Sequence, residues 1–361
     1  MRWHKIIVVA AVISIAASLD AIGGSPWFFS VWNPNRAISA KDKEVYLAYG
    51  RESLYLLKRG ISSWTHESID KGENMGPFTS LFVDHKGASH ISYHDYPRHH
   101  LKYATNDSGK WATEIVDSNG EVGEGTSISV DREGAVHIGY FDRRNGALKY
   151  AYRPLGGKWL IETADPSGWV GSYVSIAVDG KNSPHISYFD YKNFVLKYAS
   201  RISGKWTAET VDSAKGAGGF TSITIDASDR AHIAYFDWKT DDLKYASNIS
   251  GSWLIETVDS EGEVGWFSSM ALDKSGRAHI SYFDKTRQTL EYATNASGGW
   301  VTEDVEATSG WGAIYTSIAA DNEGKVHIAY FDGDKKQLKY AARKSGTWVK
   351  EIIDTSGMEK I

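Results

Sequence analysis

The chain has 361 residues and a formal net charge of −5 at pH 7, with 42% hydrophobic and 24% charged residues. This balance suits a globular core and excludes a largely disordered chain, and the absence of a basic stripe argues against nucleic acid as a partner. The sequence contains no cysteine, so no disulfide bond stabilises the fold.

The N-terminal segment has the features of an export signal. Residues 1–5 are basic, residues 6–17 form an apolar run, and small residues follow up to Ala21. This order is typical of a secretory signal peptide, and the run is shorter than the ~20 residues of a membrane-spanning helix. Because no clean cleavage site follows, we expect residues 1–25 to be a signal peptide or an N-terminal anchor, with no further membrane span. Residues 26–361 are expected to form one domain that is secreted or displayed at the cell surface.

Tryptophan recurs seven times at intervals of 47 or 48 residues, and a glutamate follows each tryptophan at the third position. The tryptophans are Trp64, Trp111, Trp159, Trp206, Trp253, Trp300 and Trp348. The glutamates are Glu67, Glu114, Glu162, Glu209, Glu256, Glu303 and Glu351. A fixed period of this length indicates one supersecondary unit that is repeated, rather than several unrelated domains.

Two further motifs recur with the same period and mark the strands of each unit. His-Ile-x-Tyr-Phe-Asp begins at His137, His185, His232, His279 and His327, with a variant at His90. Leu-Lys-Tyr-Ala begins at Leu101, Leu148, Leu196, Leu243 and Leu338, with a variant at Leu290. Each unit holds four runs rich in Val, Ile, Tyr, Trp and Thr, with Gly, Asp, Asn or Ser between them. Such runs are typical of β-strands, and turns this short leave no room for crossover helices, so the strands must be antiparallel.

Four antiparallel strands in about 45 residues are typical of a propeller blade. We therefore predict an all-β fold, a seven-bladed β-propeller with four antiparallel strands per blade. The predicted blades lie near residues 32–70, 71–117, 118–165, 166–212, 213–259, 260–306 and 307–354. The first blade is the most degenerate, but Trp64 and Glu67 keep its register. We expect the last blade to pack on the first without a shared blade, with residues 26–32 over the seam. An open solenoid with polar caps is the alternative.

Residues that recur in every blade are expected to build the framework. The outer-strand glutamate is expected to pair across its own hairpin, as Glu114 with Lys102, except in the sixth blade, where Glu291 would face Glu303. The repeated histidines are expected to bond backbone groups, and the repeated aspartates are expected to cap turns. The N-glycosylation pattern recurs in one outer turn, where we interpret it as turn chemistry. It begins at Asn106, Asn248 and Asn295.

Residues that differ between blades are better candidates for function. The most variable segment joins the outer strand of one blade to the inner strand of the next, and it is rich in aromatic residues. The candidate ligand-binding residues in it are Phe78, Trp169, Tyr173, Phe220, Trp266, Phe267, Trp311 and Tyr315. Aromatic faces beside polar turns suit sugar rings, whose C–H surfaces stack while hydroxyls reach polar groups. The alternative is that these side chains pack between blades as core. Another loop on the same face carries Arg143, Arg144 and Trp238 as one-off candidates.

The second blade departs most from the consensus. Its Tyr93–His100 segment brings His94, His99 and His100 close to Asp95 in sequence, a set that could bind a transition metal. A solvated turn is the interpretation we favour, so no metal and no cofactor are expected. No pair of carboxylates breaks the repeat symmetry in the way that glycosidase catalysis requires, and we assign no catalytic residue.

With these repeats, residues 36–354 resemble the secreted repeat propellers of bacteria and archaea. Those proteins are similar in style to Asp-box (BNR) and sialidase-like propellers and to seven-bladed propeller lectins. The Asp-box itself is not matched, since Ser175–Gly180 and its copies share only Ser, Asp and a turn Gly. The arginine triad of sialidases also has no counterpart. The near-identical copies favour a binding module for a glycan or cell-surface polymer, because several weak sites would add by avidity. A protein-interaction or cell-envelope scaffold is the alternative, and a glycosidase or polysaccharide lyase is the third interpretation.

Overall fold

The computed structural model describes residues 37–353, apart from 42–43, 51–52, 61–62, 73–74, 76–77, 309–312 and 334. These described residues form seven four-stranded antiparallel sheets, each built from strands that are consecutive in the chain. The prediction of a seven-bladed β-propeller is confirmed. The predicted signal segment and the apolar residues 26–32 lie outside the described residues. Within the described part of the chain, no helix has the length and apolarity needed to span a membrane.

The strands are numbered in chain order, four to a blade. The first two blades contain β1 (Ile38–Lys41), β2 (Glu44–Gly50), β3 (Ser53–Arg59), β4 (Trp64–Lys71), β5 (Ser80–Val83), β6 (Ser89–Asp95), β7 (His100–Thr105) and β8 (Ala112–Asp117). The third and fourth contain β9 (Val122–Val130), β10 (Val136–Asp142), β11 (Ala147–Arg153), β12 (Leu160–Asp165), β13 (Val170–Val178), β14 (Pro184–Asp190), β15 (Val195–Ile202) and β16 (Lys205–Asp212). The fifth and sixth contain β17 (Ala217–Ile225), β18 (Ala231–Asp237), β19 (Asp242–Ser247), β20 (Leu254–Asp259), β21 (Val264–Leu272), β22 (Ala278–Asp284), β23 (Thr289–Thr294) and β24 (Val301–Ala307). The seventh contains β25 (Ala313–Ala320), β26 (Val326–Asp332), β27 (Gln337–Lys344) and β28 (Thr347–Ile352).

The apolar core lies between neighbouring blades. The second strand of a blade, such as β10, is buried along its whole length because both faces of its sheet are covered. Leu101 and Tyr103 of the second blade, for example, pack with Ile128 and Ile138 of the third. The fourth strand is the outer edge and exposes most of its side chains, as β12 does. Stacking therefore hides the two apolar faces that a single sheet would leave in water.

The ring closes without a shared blade, as predicted, and the open solenoid is excluded. The first strands of all seven blades contact their neighbours in a continuous circle, including β25 with β1. At the seam, the Ala37 backbone N–H donates to the Ser317 hydroxyl at 3.0 Å. Interior interfaces use the same contact, as where the Ile223 N–H donates to Ser175 Oγ at 3.1 Å. The seam is therefore built like the other interfaces.

The predicted pairing of outer-strand glutamates within their own hairpins is wrong. The outer hairpin pairs Thr105 with Ala112, and this register places Glu114 opposite Tyr103 and Ile115 opposite Lys102. Most of the glutamates instead reach the next blade: Glu162 accepts hydrogen bonds from the Trp206 indole N–H at 2.8 Å and from the Arg201 guanidinium. The equivalent indole bonds are Trp253 to Glu209, Trp300 to Glu256, Trp348 to Glu303 and, across the seam, Trp64 to Glu351.

The repeated histidines are structural, but their partners are side chains and not the predicted backbone groups. His137 Nδ1 lies 2.7 Å from the Tyr150 hydroxyl, and its Nε2 lies 3.2 Å from Asp131 Oδ2. Asp131 Oδ1 accepts the backbone N–H groups of Glu133 and Ala135 at 2.9 and 2.8 Å, so the predicted turn cap is confirmed. In the third, fourth and seventh blades, the turn between the first two strands is thus joined through histidine to the third strand.

The turn interpretation of the three asparagines is supported by their contacts. Asn106 Oδ1 accepts the Ser89 backbone N–H at 2.7 Å. The equivalent bonds are Ala231 N–H to Asn248 and Ala278 N–H to Asn295. Each side chain therefore connects the outer hairpin turn to the start of the second strand.

Candidate functional site

Antiparallel strands sort the connections onto two faces of the disc. The loop face carries the turns between second and third strands and the connections between blades. The turn face carries the Asp-x-x-Gly turns and the outer hairpin turns. Seven of the eight predicted ligand-binding aromatics belong to the described residues and lie in segments near the loop face, so the exposure of their side chains is compared on this face.

Four of the predicted aromatics pack together at the centre of the ring. This aromatic arc consists of Tyr173, Phe220, Phe267 and Tyr315, one from each of the last four inner strands. All four have left-handed backbones, with φ between 50° and 65°. Successive ring centroids are 4.9, 4.8 and 4.7 Å apart, and the residues are only 4–9% exposed. Their irregular backbone turns the rings toward one another. These four side chains therefore pack as core, which was the alternative to ligand binding, and they leave little surface for a ligand.

Trp169 lies outside this arc and is 59% exposed. Its backbone carbonyl accepts the Tyr191 N–H at 3.0 Å, which fixes the loop to the second strand of the blade. The chain also passes very close to Gly146, where a Cβ atom would lie 2.7 Å from the Trp169 nitrogen. The backbone is therefore anchored, while the indole is presented to solvent on the loop face.

Trp266 forms a second aromatic surface with residues that the sequence placed in other loops. Its indole meets that of Trp238 edge to face, with centroids 5.3 Å apart and an interplanar angle of 78°. The Lys285 ammonium lies 4.8 Å from the Trp266 ring centroid and pairs with the Glu263 carboxylate at 2.5 Å. We call these four residues, Trp238, Trp266, Lys285 and Glu263, the indole patch.

The indole patch depends on Gly219 in the inner strand of the fifth blade. A Cβ atom at Gly219 would lie 2.5 Å from the Trp238 indole nitrogen, so only glycine lets this ring lie against the inner strand. Both indoles are half-buried, which holds them in place while part of each ring faces solvent. The neighbouring ammonium and carboxylate add hydrogen-bonding groups, so the patch combines a fixed apolar surface with a polar border.

Phe78 is half-buried beside His94, and Trp311 lies outside the described residues. His94 occupies the place of the repeated phenylalanine and is fully buried, and its two ring nitrogens accept or donate no hydrogen bond. Burial lowers the pKa of His94 to about 3, so the ring is neutral. The described residues hold no group of three or more His, Asp or Glu side chains arranged for a metal ion.

The sixth blade breaks the charge pattern of the repeat near this face. In the seventh blade, Lys339 bridges Glu306 at 2.7 Å and Asp332 at 2.9 Å. The equivalent position in the sixth blade is Glu291, which is 2% exposed. It lies opposite Asp304, and not opposite Glu303 as predicted, because the outer hairpin pairs Thr294 with Val301 and so places Glu303 opposite Tyr292.

Glu291 has one close cationic partner, since Arg287 donates to its carboxylate at 2.6 Å. Burial, with the nearby charges of Asp259 and Asp284, raises the pKa of Glu291 to about 7. Burial also raises the pKa of Asp284, whose Oδ2 accepts no hydrogen bond and lies 3.9 Å from Arg287 Nε. A carboxyl group therefore stands where five other blades place a lysine, and it holds a proton more tightly than usual.

No protein-family model matches the sequence, and no curated protein matches it either. Solved structures are similar in fold. AofleA from Arthrobotrys oligospora is 14% identical with a TM-score of 0.56, covering 89% of this chain and 94% of its own. The fucose-specific lectin from Aleuria aurantia is 13% identical with a TM-score of 0.51, covering 74% of this chain and 91% of its own. Hydrazine synthase from Kuenenia stuttgartiensis is 8% identical with a TM-score of 0.62, covering 92% and 99%. At such low identity the likeness shows the fold alone, which serves lectins and enzymes alike.

Proposed function

We propose that this chain is a glycan-binding propeller and that the indole patch contacts the sugar. The observation that carries the proposal is the edge-to-face pair of Trp238 and Trp266, with the Lys285 ammonium 4.8 Å from the Trp266 ring. A pyranose presents C–H groups on one face and hydroxyls at its edge, which matches an apolar ring bordered by charged groups. The shared fold with a fucose-specific lectin supports the proposal without identifying the sugar.

Trp169 is proposed as an additional contact, because its exposed indole lies on the same face as the indole patch. Several weak contacts on one rigid disc would add by avidity when the ligand is a polymer. A polymeric ligand also agrees with the export signal in the sequence, so we propose that the protein acts outside the cytoplasm or at the cell surface.

A glycan array tests the proposal with single Ala variants of Trp169, Trp238 and Trp266. Loss of a stacking indole is expected to weaken binding by roughly tenfold or more for the patch residues. Trp300→Phe is the control, since this indole lies in an outer interface and bonds Glu256. If all three Ala variants still bind glycans, the indole patch is not part of the site. If the wild-type protein binds no glycan on the array, the proposed function is refuted.

A protein-interaction scaffold is the second candidate, because the outer strands expose large apolar side chains. Leu160, Leu254, Val301 and Val349 are each about half exposed on the rim of the disc. These strands are also sheet edges, which can pair with a partner strand. A Leu160→Glu and Leu254→Glu double variant should then lose a partner that the wild-type protein retains from an envelope extract. Equal retention by both proteins would contradict a rim interface.

A further inference from the structure

The two ends of the disc's centre differ. Near the loop face, the four rings of the aromatic arc pack against one another. Toward the turn face, the inner-strand position opposite the repeated histidine holds a small residue in the third to seventh blades. These residues are Ser129, Ala177, Thr224, Ala271 and Ala319. In the second blade the same position holds Phe82, opposite His90. The small side chains leave open space near the turn face, whereas the larger rings of the aromatic arc occupy the corresponding position near the loop face.

A cavity of about 340 Å³ opens at this place. Its lining comes from the inner strands and first turns of the second to fifth blades, and it runs from Phe82 through residues 129–132 and 177–180 to residues 224–229. Inner strands of four successive blades can converge only near the common axis, so the cavity is the mouth of the central channel. Its volume falls within the ~300–1,000 Å³ typical of small-ligand sites.

The cavity offers both an apolar surface and polar groups that are not used by the fold. Phe82, Val178 and Ile225 line it and are half-buried. Among the residues that the structure describes, the hydroxyls of Ser129 and Thr224 and the Arg132 guanidinium make no hydrogen bond, and all three groups belong to the lining. Hydroxyls beside an aromatic ring are the combination that a sugar needs.

The carboxylates at the cavity mouth are already engaged. Asp179 Oδ1 caps its turn through two backbone N–H groups, and its Oδ2 lies 3.2 Å from His185. Asp226 pairs with Arg230 at 2.7 Å, and Asp229 pairs with Lys181 at 3.2 Å. Because these carboxylates are matched within the protein, the site does not favour a metal ion, and the Arg132 guanidinium remains available to donate to a sugar hydroxyl.

We infer that the channel mouth on the turn face binds a neutral pyranose residue, with the sugar ring against Phe82 and its hydroxyls at Ser129, Thr224 and Arg132. The inference shares its ligand class with the proposed function but uses a site on the opposite face. Two sites on opposite faces of a rigid disc would let one molecule bridge two glycan chains. The indole patch alone could not do this, because all its residues lie on one face.

The test uses ligand-observed NMR and calorimetric titration with the methyl α-glycosides of glucose, galactose, mannose and fucose. The background is the Trp169→Ala/Trp238→Ala/Trp266→Ala protein, in which all three proposed indole contacts of the loop face are removed and only the channel mouth should remain. Adding Thr224→Phe fills the cavity and is expected to abolish the residual binding, and adding Arg132→Ala is expected to weaken it by about tenfold. Arg132 is exposed, so this second variant should fold even if the first one does not.

A matched control is Lys274→Ala, which changes an exposed basic residue in an equivalent turn that does not line the cavity. Residual binding that falls with Thr224→Phe or Arg132→Ala, but not with the control, supports the channel site. If the background protein binds no glycoside, or if its binding is unaffected by both variants, the inference is overturned. Wild-type binding that disappears in the triple Trp variant leaves the proposed function intact, so the two failures are distinguishable.

Discussion

Replacing Glu291 by glutamine should stabilise the protein at neutral and alkaline pH and have little effect in acid. In the folded protein the pKa of Glu291 is about 7, against an ordinary value of 4.5. The folded state therefore binds an extra proton between these two values, and stability falls as the pH rises through this window. Because Glu291 is only 2% exposed, solvent screening is small. At about 1.36 kcal/mol per pKa unit, the full loss above pH 7 is about 3 kcal/mol.

Urea unfolding of wild-type and Glu291→Gln protein from pH 4.5 to pH 8 measures this effect. The difference in unfolding free energy should be small at the acid end and grow toward about 3 kcal/mol at pH 8. Glu291→Lys restores the residue type of the other blades and should also be stabilising, because an ammonium would then face Asp259 and Asp284 as Lys339 faces Glu306 and Asp332.

The matched control is Glu323→Gln, which changes an exposed turn residue and should show no such pH dependence. Carboxyl groups whose pKa is lowered, such as Asp226, lose their contribution only at more acidic pH and act equally in all variants. A difference between Glu291→Gln and wild type that stays constant from pH 5 to pH 8 would refute the assignment of a buried, proton-binding carboxyl group.

Two further outcomes follow from single contacts. Trp64→Phe removes the indole bond to Glu351 at the seam, and Trp300→Phe removes its interior equivalent. Both variants should lose about 1–2 kcal/mol in urea unfolding, and a much smaller loss at the seam would argue that the ring is open there. Gly219→Ala would place a Cβ atom 2.5 Å from the Trp238 indole nitrogen. Glycan affinity should therefore fall by about tenfold while the thermal midpoint changes little, and unchanged affinity would contradict a role for this ring.

The fold was predictable because the period near 47 residues repeats seven times and each copy carries the same strand and turn residues. Contact partners were less predictable. The outer hairpin of the second blade places Glu114 opposite Tyr103, and Lys102 pairs with Asp70 of the preceding blade. The spacing of residues does not show the exact register of a hairpin or a contact with a neighbouring blade, so the partners of the framework glutamates could not be predicted.

The candidate site could be predicted by region but not by residue. Trp169 and Tyr173 lie four residues apart and both have left-handed backbones, yet one indole is exposed and the other ring is buried. Their difference depends on whether an aromatic ring of a neighbouring blade meets them, and sequence spacing does not show this. The meeting of Trp238 with Trp266 also depends on packing between two blades, although the glycine at position 219 is a local signal that a ring passes close by.

At the seam between β25 and β1, neighbouring sheets touch through side chains and isolated backbone donors, and among residues 37–353 that the structure describes no ladder of paired strands joins the first blade to the last. The first and last blades can therefore separate without breaking the hydrogen bonds of any sheet. Mechanical or thermal opening would start as a reversible gap between two intact blades, and this gap would widen the axial passage before any strand is lost.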